Sequence, residues 1–489
     1  MKSKNRVLIA LAICWLVLSG LGGLIAPASL YADVLAQRID QLLADPSLNH
    51  GVQAVMVKSL QTGKLLYERN TDLAMIPASN MKLIVSATAL DQLGPDFTFV
   101  TKIFACGPVT GQGVIDGDIA LVGGGDPVLE TRDLMCLAKE LRAKGIKKIT
   151  GDVIVDDSLF DDNRLGTAWS WDDLSYYYSA EISALNLNRN VLRVWVYPGK
   201  SVGDPAVVQL DPPIPYIKVE TTPITGESGS EKRIWAYREL GTNVIKVTGS
   251  IPVDAKVTDA EESITVHEPA LYAGYVFRSE LRKQGIIVLG EVKAAKLPNQ
   301  AVPLCQHTSP ALASILALLN KPSDNLIAEV LLRTLGAVVK GKGSVESGRE
   351  VEREFLSKIG VDLSGISIAD GSGLSRLNYV TARALVDLLC YMYRHKNADV
   401  FIASLPIAGV DGTLRNRMKG SAAEKNVRAK TGYVSRASTL SGYLTTKSGE
   451  PLAFSILMNH HLCPTASVTA IQDKICGLLA ELSTESSPN

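Results

Sequence analysis

Segments with the pattern of β-strands lie near both ends of this chain, and the whole middle of the chain separates them. Residues 52–57 and 64–68 are short extended runs joined by Gln61-Thr62-Gly63, which indicates a hairpin. Residues 435–445 and 451–459 form a second pair across a glycine-containing turn. Strands at both ends with helices between them predict one α/β core that is assembled from distant parts of the chain.

The stretch between residues 98 and 266 differs from its flanks. Short β-rich runs alternate there with Gly, Pro and Asp turns, and only residues 134–144 show a strong helical pattern. We therefore expect a discontinuous core domain of residues 33–97 and 267–482, interrupted by a β-rich inserted domain at 98–266. Within the insertion, residues 207–257 are almost wholly strand and turn and suggest a nested subdomain.

Helical periodicity accounts for most of the remaining chain. The predicted helices cover residues 32–43, 77–93, 270–284, 310–319, 325–335, 351–358, 381–394 and 465–482.

The N-terminus predicts export. Lys2, Lys4 and Arg6 precede an apolar run at residues 7–25, and Ala26-Pro27-Ala28 offers the small residues that a signal peptidase reads. Residues 1–28 are therefore a signal peptide, or an uncleaved membrane anchor, because the run is almost long enough to span a bilayer. In both cases the rest of the chain is extracytoplasmic, and association with a membrane through the N-terminus stays open.

Charge and cysteine content narrow the partners. The 489 residues contain 50 Lys plus Arg and 50 Asp plus Glu, and this balance argues against a nucleic-acid partner. Besides Cys14 in the leader there are six cysteines, an even number that permits disulfides in an exported protein, with buried free thiols as the alternative. His307 and His461 lie near Cys305 and Cys463, but no second ligand pair completes a zinc site. We expect neither a metal nor another cofactor.

Ser79 and Lys82 are the first candidates for chemistry. A serine hydroxyl is a weak nucleophile until a base removes its proton, and residues three apart on a helix share a face. Lys82 can serve as that base if burial destabilises its ammonium form. The pair occurs at the start of an apolar helix; the alternative is a surface serine beside a solvated lysine.

Two further motifs follow in the chain. Ser323-Asp324-Asn325 precedes a helix, where it can also be an ordinary N-cap. Lys430-Thr431-Gly432 lies at the start of a predicted strand, where Lys and Thr can bind a carboxylate and Gly permits a close backbone approach. A rival match, Lys447-Ser448-Gly449, reads better as a hairpin turn. Ser-x-x-Lys, Ser-Asp-Asn and Lys-Thr-Gly in this order are the signature of penicillin-binding proteins and class A β-lactamases.

On these motifs the chain resembles the class C low-molecular-mass penicillin-binding proteins, the D-alanyl-D-alanine carboxypeptidase/endopeptidase family. The long insertion between Lys82 and Ser323 is similar to that family and is absent from β-lactamases. Further similar segments are 117–127, 370–375 and 409–414, so the resemblance covers nearly the whole chain after the leader. It implies an α/β (α+β) penicillin-binding/β-lactamase-like transpeptidase core, of antiparallel sheet plus helices, with a large β-rich insertion.

The resemblance also implies a serine-type D-Ala-D-Ala carboxypeptidase or endopeptidase that acts on peptidoglycan stem peptides or cross-links in the periplasm. β-Lactam antibiotics would be its covalent inhibitors. Ser79 would form the acyl-enzyme with Lys82 as base, Ser323 would relay a proton to the leaving amine, and Asn325 would hold Lys82 and the substrate amide. The implied substrate-binding residues are Lys430, Thr431, Gly432 and Tyr433.

Other parts of the site stay open at this stage. The resemblance places a side chain of the insertion near the site, and Glu181 and Asn188 are the candidates. The amides of Ser79 and Tyr433 would form the oxyanion hole. The segments 370–375 and 411–414 are expected to be structural despite their many polar groups.

Three alternative functions fit the sequence less well. Gly199-Lys200-Ser201-Val202-Gly203 matches the G-x-S-x-G elbow of other hydrolases, but Asp204-Pro205 follows where a helix is required. A β-lactamase would deacylate fast, and the large insertion argues against it. A non-catalytic cell-wall-binding protein would have no reason to keep the side chains of all three motifs.

Overall fold

The structure is a computed structural model that describes residues 27–256 and 261–483. Apart from its last two residues, the predicted leader at 1–28 lies outside the described residues. Among the helices that are described, none has the length and apolar character needed to cross a membrane.

The α-helices of the described residues are, in chain order, α1 (Pro27–Leu43), α2 (Met81–Gln92), α3 (Thr131–Ala143), α4 (Pro269–Lys283), α5 (Leu312–Asn320), α6 (Asn325–Lys340), α7 (Val345–Lys358), α8 (Ala382–Tyr393), α9 (Ala398–Ser404) and α10 (Thr465–Ala480).

The strands of the same residues are β1 (Val52–Ser59), β2 (Leu65–Arg69), β3 (Val100–Cys106), β4 (Val114–Ile115), β5 (Asp118–Val122), β6 (Lys148–Ile149), β7 (Val153–Asp156), β8 (Val191–Tyr197), β9 (Val207–Asp211), β10 (Lys218–Thr221), β11 (Ile224–Gly226), β12 (Arg233–Arg238), β13 (Val244–Pro252), β14 (Glu261–Thr265), β15 (Ile287–Val288), β16 (Val292–Ala294), β17 (Val302–Thr308), β18 (Arg428–Val434), β19 (Ala437–Thr445) and β20 (Pro451–Asn459).

The two ends of the chain meet in one antiparallel sheet of order β18-β19-β20-β1-β2. β1 is central and pairs in register with β20 along its whole length, from Val52 opposite Asn459 to Ser59 opposite Leu452. Its side chains alternate between two cores: Ala54 and Met56 pack on one face and Val55 and Val57 on the other. The prediction of a single α/β core built from distant segments is confirmed.

Helices cover both faces of this sheet. α1 and α10 pack on one face, while α2 and α5 to α9 contribute to the core on the other. All residues of α2 from Met81 to Leu90 are buried, because neighbouring helices and the sheet surround it. The polar side chains within this buried part of α2 are therefore removed from water.

The insertion has its own hydrophobic core. A second five-stranded sheet, β16-β7-β5-β3-β17, packs against α3 and α4. Three smaller sheets complete it, and β10 to β13 form the one that falls within the predicted nested subdomain at 207–257.

The segment 269–308 was predicted to belong to the catalytic domain, because the predicted insertion ends at residue 266, but it packs with the insertion. α4 belongs to the core of the insertion, and β15, β16 and β17 pair with β6, β7 and β3. Helical periodicity indicated that α4 has a buried face but not which core buries it. We therefore propose that the insertion runs to Thr308 and that the catalytic domain resumes near α5.

Smaller differences concern local elements. The short helix α9 was not predicted, whereas Lys430 lies near the start of a strand, β18, as predicted. The six cysteines outside the leader are free thiols, which answers the open question of disulfide pairing among them.

Candidate active site

Ser79 lies in a single 3-10 turn, Ala78–Asn80, that leads directly into α2. The residue before it, Ala78, adopts a left-handed backbone conformation with φ of 46°, which a residue with a Cβ rarely adopts. Side chains from the sheet hold this strained segment: Thr439 Oγ1 donates to the Pro77 carbonyl at 2.7 Å, and Ser441 Oγ donates to Asn80 Oδ1 at 2.6 Å. The nucleophile candidate is thus fixed to the sheet before α2 begins.

Lys82 is fully buried and its amine faces Ser79. Nζ lies 3.0 Å from Ser79 Oγ and donates to Asn325 Oδ1 at 2.6 Å and to the carbonyl of Ser372 at 2.7 Å. Both oxygens are acceptors, so they take two N–H groups of the amine. The remaining tetrahedral direction of Nζ faces Ser79, and in the neutral amine that direction is a lone pair able to accept the serine proton.

Burial is also what brings Lys82 toward the neutral form. Desolvation lowers the pKa of the Lys82 ammonium from 10.5 to about 8, although the negative charges of Asp370, Asp324 and Glu329 act against this shift. Near neutral pH an accessible fraction of the side chain can therefore work as a base.

This shift predicts how acylation depends on pH. Only neutral Lys82 can accept a proton, so the second-order rate constant for β-lactam acylation should rise with pH and level off above a pKa of about 8. Stopped-flow acylation of the purified protein in buffers of different pH measures this rise of the rate constant. A profile that is flat through this region would contradict the assignment of Lys82 as the base.

The Ser323-Asp324-Asn325 segment faces the same point. Ser323 has a left-handed backbone with φ of 67°, and Asp324 is the N-cap of α6, accepting from the Ile327 amide at 3.0 Å. Asn325 Nδ2 donates to the carbonyl of Tyr178 at 2.7 Å, which leaves Oδ1 to face Lys82. The segment is both a helix N-cap and part of the site, so the two readings of this motif are compatible.

Lys430 approaches from β18 on the other side. Nζ donates to Ser323 Oγ at 2.9 Å and to the Thr431 carbonyl at 2.9 Å. Burial, with a smaller contribution from the charge of Lys82, holds the pKa of Lys430 well below its ordinary value. Two hydrogen-bonded groups, Ser79–Lys82–Asn325 and Ser323–Lys430, therefore make up the polar cluster of the site, and the Ser323-Asp324-Asn325 backbone joins them.

Thr431 and Gly432 complete this side of the site. The hydroxyl of Thr431 lies 2.6 Å from that of Thr413, a residue in the segment that was expected to be only structural. A Cβ on Gly432 would lie 2.2 Å from Thr439 Oγ1 and 2.9 Å from the Ser79 amide nitrogen. Gly432 is therefore required for the close packing of β18 on the nucleophile segment. Tyr433 follows with an exposed side chain at the cleft.

The loop 370–375 has more than the structural role predicted for it, because its Ser372 carbonyl contacts Lys82. Two buried carboxylates hold the loop. Glu329 Oε1 accepts from the amides of Gly371 and Ser372 at 3.0 and 2.8 Å, and Asp370 Oδ1 accepts from the amide of Gly373 at 2.7 Å. A backbone carbonyl leaves no motif in the sequence, so this contact could not be predicted.

Gly373 allows the loop to reach the nucleophile. Its φ is 82°, and a Cβ there would lie 1.8 Å from the Ala78 carbonyl oxygen.

Gly373→Ala should lower the free energy of unfolding by about 2–4 kcal/mol, because the strain of the left-handed backbone and the collision of the new Cβ with the Ala78 carbonyl add. Gly94→Ala is the matched control: its φ is 81° with nothing within 4 Å of the added Cβ, so a loss of about 1 kcal/mol is expected. Chemical denaturation of both variants tests the difference, and equal losses would contradict the collision.

The cluster opens into a cleft of about 820 Å³ between the catalytic core and the insertion. The insertion contributes to the lining, and its residues there include Ser170, Asp172, Asp173, Tyr177, Tyr178 and Arg189. Trp169 Nε1 also donates to Asp370 Oδ2 at 2.9 Å, across the two parts of the chain.

Neither side chain proposed from sequence for the insertion lines this cleft. Glu181 is buried and pairs with His267 at 2.7 Å, and Asn188 bonds to Thr131 and Tyr272 inside the insertion. Arg189 of the same segment does line the cleft, but which side chains point outward depends on turns that the sequence pattern does not reveal. The Tyr176-Tyr177-Tyr178 run was the overlooked signal.

The chain matches the D-Ala-D-Ala carboxypeptidase 3 (S13) family over residues 35–482. It is 41% identical over 468 residues to a D-alanyl-D-alanine carboxypeptidase of Actinomadura sp. strain R39, covering 93% of this chain and 86% of that relative. It is 29% identical to the D-alanyl-D-alanine carboxypeptidase DacB of Haemophilus influenzae, over 83% of this chain and 84% of that one.

Solved structures agree with this similarity. The crystal structure of penicillin binding protein 4 (dacB) from Haemophilus influenzae superimposes with a TM-score of 0.80 at 28% identity, covering 91% of this chain and 99% of that chain. A complex of the same protein with a novel β-lactam superimposes with a TM-score of 0.74 at 27% identity, covering 90% and 98% of the two chains.

Proposed function

This chain belongs to the D-Ala-D-Ala carboxypeptidase 3 (S13) family, and from that membership we propose that it is a serine-type D-Ala-D-Ala carboxypeptidase that acts on peptidoglycan peptides through an acyl-enzyme on Ser79. The observation that supports the mechanism most is the buried Lys82 amine, held by two acceptors so that it faces Ser79 Oγ. Peptide cross-links are further substrates of the same chemistry.

Acylation begins with proton transfer from Ser79 Oγ to neutral Lys82. Oγ bonds to the carbonyl carbon of the terminal D-Ala-D-Ala peptide bond, and the carbonyl oxygen becomes an oxyanion. We propose that the backbone amides of Ser79 and Tyr433 donate to this oxyanion. The close packing of Gly432 on the Ser79 amide supports this, because it brings β18 beside the nucleophile.

The leaving amine needs a proton before the C–N bond breaks. Lys82, now protonated, returns its proton through the hydroxyl of Ser323 to that nitrogen, and D-Ala departs with the acyl group left on Ser79. Water then adds to the ester carbon, and Ser79 leaves with a proton returned to it. Ser323 suits the relay because it lines the cleft and its hydroxyl accepts from Lys430 Nζ at 2.9 Å.

Lys430, Thr431 and Thr413 suit the terminal carboxylate of the substrate. The two threonine hydroxyls are adjacent at the cleft and can both donate. An incoming carboxylate would favour the protonated form of Lys430, whose pKa burial otherwise lowers. The carboxylate of a β-lactam would use the same groups, which is why we expect these drugs to acylate Ser79.

We further propose that the chain works in the periplasm after export by its N-terminal segment. The positively charged start, apolar run and small-residue site of residues 1–28 support export. Association with the membrane would follow if this segment is retained.

Labelling with a fluorescent penicillin tests the function. The purified protein should form a stable covalent adduct, and mass spectrometry of the digested adduct should locate the drug on the peptide that carries Ser79. In a parallel assay, a peptide that ends in D-Ala-D-Ala should release free D-Ala. The same assay with an L-Ala-L-Ala terminus is the control and should release none.

The two alternative functions give other results. Rapid hydrolysis of the penicillin without a lasting adduct would indicate a β-lactamase. The absence of both labelling and D-Ala release would indicate a cell-wall-binding protein without catalysis.

A further inference from the structure

Three consecutive residues of the insertion have left-handed backbones directly beside the catalytic cleft. Asn188, Arg189 and Asn190 have φ values of 50°, 61° and 55°. Single left-handed residues other than glycine occur mainly as Asn or Asp, and a run of three that includes arginine is unusual. Such strain persists only where surrounding contacts fix it, and it is concentrated at functional sites.

The flanking asparagines fix the turn from inside the insertion. Asn188 accepts from the Thr131 amide at 3.0 Å and donates to the Thr131 hydroxyl at 2.8 Å. Asn190 accepts from the Leu187 amide at 3.0 Å and donates to the Glu181 carbonyl at 2.7 Å. The outer two residues therefore point into the insertion, and only the middle one projects to the catalytic core.

Arg189 uses that position to contact the Ser323-Asp324-Asn325 segment. Its Nε donates to Asp324 Oδ2 at 2.8 Å, and its Nη1 donates to the carbonyl of Pro127 at 2.7 Å. The other oxygen of Asp324 caps α6 through the Ile327 amide. Arg189 and the Ile327 amide thus each bind one oxygen of the Asp324 carboxylate, and Asp324 lies between Ser323 and Asn325.

We propose that Arg189 is a positioning residue for acylation, which fixes Asp324 and thereby the backbone that presents Ser323 and Asn325 to the substrate. The inference rests on the proposed function, because it assigns Arg189 a part in the acyl transfer at Ser79. It also gives the insertion a direct role: the inserted domain holds one wall of the active site from outside the catalytic core. The second contact from the insertion, Tyr178 O with Asn325 Nδ2, acts on the next residue.

Arginine suits this position better than lysine. Its planar guanidinium places two N–H groups at fixed directions, one for a carboxylate and one for a carbonyl, whereas a lysine offers a single flexible point charge. Arg189 and Asp324 both line the cleft with partly exposed side chains. Loss of the pair therefore loosens the segment at the surface that the substrate contacts, rather than in a hydrophobic core.

The test compares Arg189→Met with Arg193→Met by stopped-flow acylation with a β-lactam. Arg193 is the matched control, because it lies on β8 in the same domain and pairs with Glu261, and neither residue lines the cleft. Arg189→Met should lower the acylation rate constant by on the order of 10- to 100-fold, since a misplacement of about 1 Å can cost that much. The dissociation constant of the non-covalent complex should change far less. Arg193→Met should acylate as the unmodified protein does.

A double-mutant cycle with Asp324→Asn separates positioning from general stability. Asparagine still caps a helix but offers no negative charge to Arg189. Once Asp324 is replaced, Arg189→Met should slow acylation by no more than about twofold further, because the two residues act as one unit. Arg189→Lys should recover part of the rate. Thermal melting of each variant shows that it is folded.

Three results decide the inference. Acylation of Arg189→Met within about twofold of the unmodified protein would overturn it, and so would fully additive effects in the cycle. An unmodified protein that forms no adduct at all would instead overturn the proposed function, and the inference with it.

Discussion

Replacing Ser79 with alanine is expected to abolish the covalent penicillin adduct and to reduce D-Ala release by on the order of 10⁶-fold, as loss of the nucleophile does in other serine hydrolases. In the proposed mechanism alanine removes the atom that bonds to the acyl carbon, and Ser79 is the hydroxyl that Lys82 Nζ contacts, at 3.0 Å. Ser323 Oγ contacts Lys430 rather than Lys82. The measurement is gel fluorescence after labelling, with D-Ala release as the second assay.

Ser201→Ala is the control for this variant. Ser201 lies in the G-x-S-x-G match, and its exposed turn is held by Asp204 Oδ2, which accepts from the Ser201 amide at 2.9 Å. It does not line the cleft, so labelling and D-Ala release should stay unchanged. Undiminished labelling of Ser79→Ala, or loss of labelling in Ser201→Ala, would contradict the assignment of the nucleophile.

Ser79→Ala should also remain folded, which makes the loss of activity interpretable. The contacts that hold the Ser79 segment are made by Pro77, Asn80, Thr439 and Ser441, not by the Ser79 hydroxyl. Thermal melting should therefore be close to that of the unmodified protein.

Local sequence patterns predicted those parts of the site that reside in side chains. Ser79 and Lys82 are three residues apart, so helical geometry alone brings them together. Ser323, Asn325 and Lys430 were found because three short motifs occur in a fixed order, not because any spacing brings them near Ser79. Their meeting in one cluster depends on the central sheet, which packs β18 against the segment that begins α2.

The features of the site that the sequence did not predict depend on backbone groups and on long-range packing. The Ser372 and Tyr178 carbonyls orient Lys82 and Asn325, yet any residue type supplies a carbonyl. The sequence did not predict that α4 packs on the core of the insertion, because α4 has a normal apolar face and periodicity does not identify its partner core. Arg189 was missed for a related reason: three left-handed residues in succession have no simple sequence signature beyond their asparagines.

Replacing Lys82 with methionine is expected to slow β-lactam acylation by about 10⁴-fold, the upper end of what a positioned general base contributes. Methionine fills a similar volume without an amine, so Ser79 loses its proton acceptor while α2 keeps its packing. Stability should be retained, because a buried lysine costs free energy that an apolar side chain does not. The non-covalent affinity for the β-lactam should change little, since the carboxylate is assigned to Lys430 and the two threonines.

Lys340→Met is the matched control. Lys340 lies at the far end of α6, where it pairs with Glu354 at 2.6 Å on an exposed surface. Its replacement should leave acylation unchanged. A double variant, Ser79→Ala with Lys82→Met, should be no slower than Ser79→Ala alone, because a nucleophile and its base act as one unit.

The pH profile of Lys82→Met then decides which lysine titrates. Burial lowers the pKa of both Lys82 and Lys430, so either could in principle produce the rise of acylation with pH. If Lys82 is the base, the limb near pH 8 disappears from the residual rate of Lys82→Met and persists in Lys430→Met, where the loss should fall mainly on substrate affinity. A rise with pH that survives in Lys82→Met and vanishes in Lys430→Met would assign the base to Lys430.

The path of the proton also distinguishes the two lysines. If Lys430 were the base, the proton of Ser79 would have to travel through Ser323, since Ser323 Oγ is the hydroxyl that contacts Lys430 Nζ. The direct 3.0 Å approach of Lys82 to Ser79 favours the shorter path.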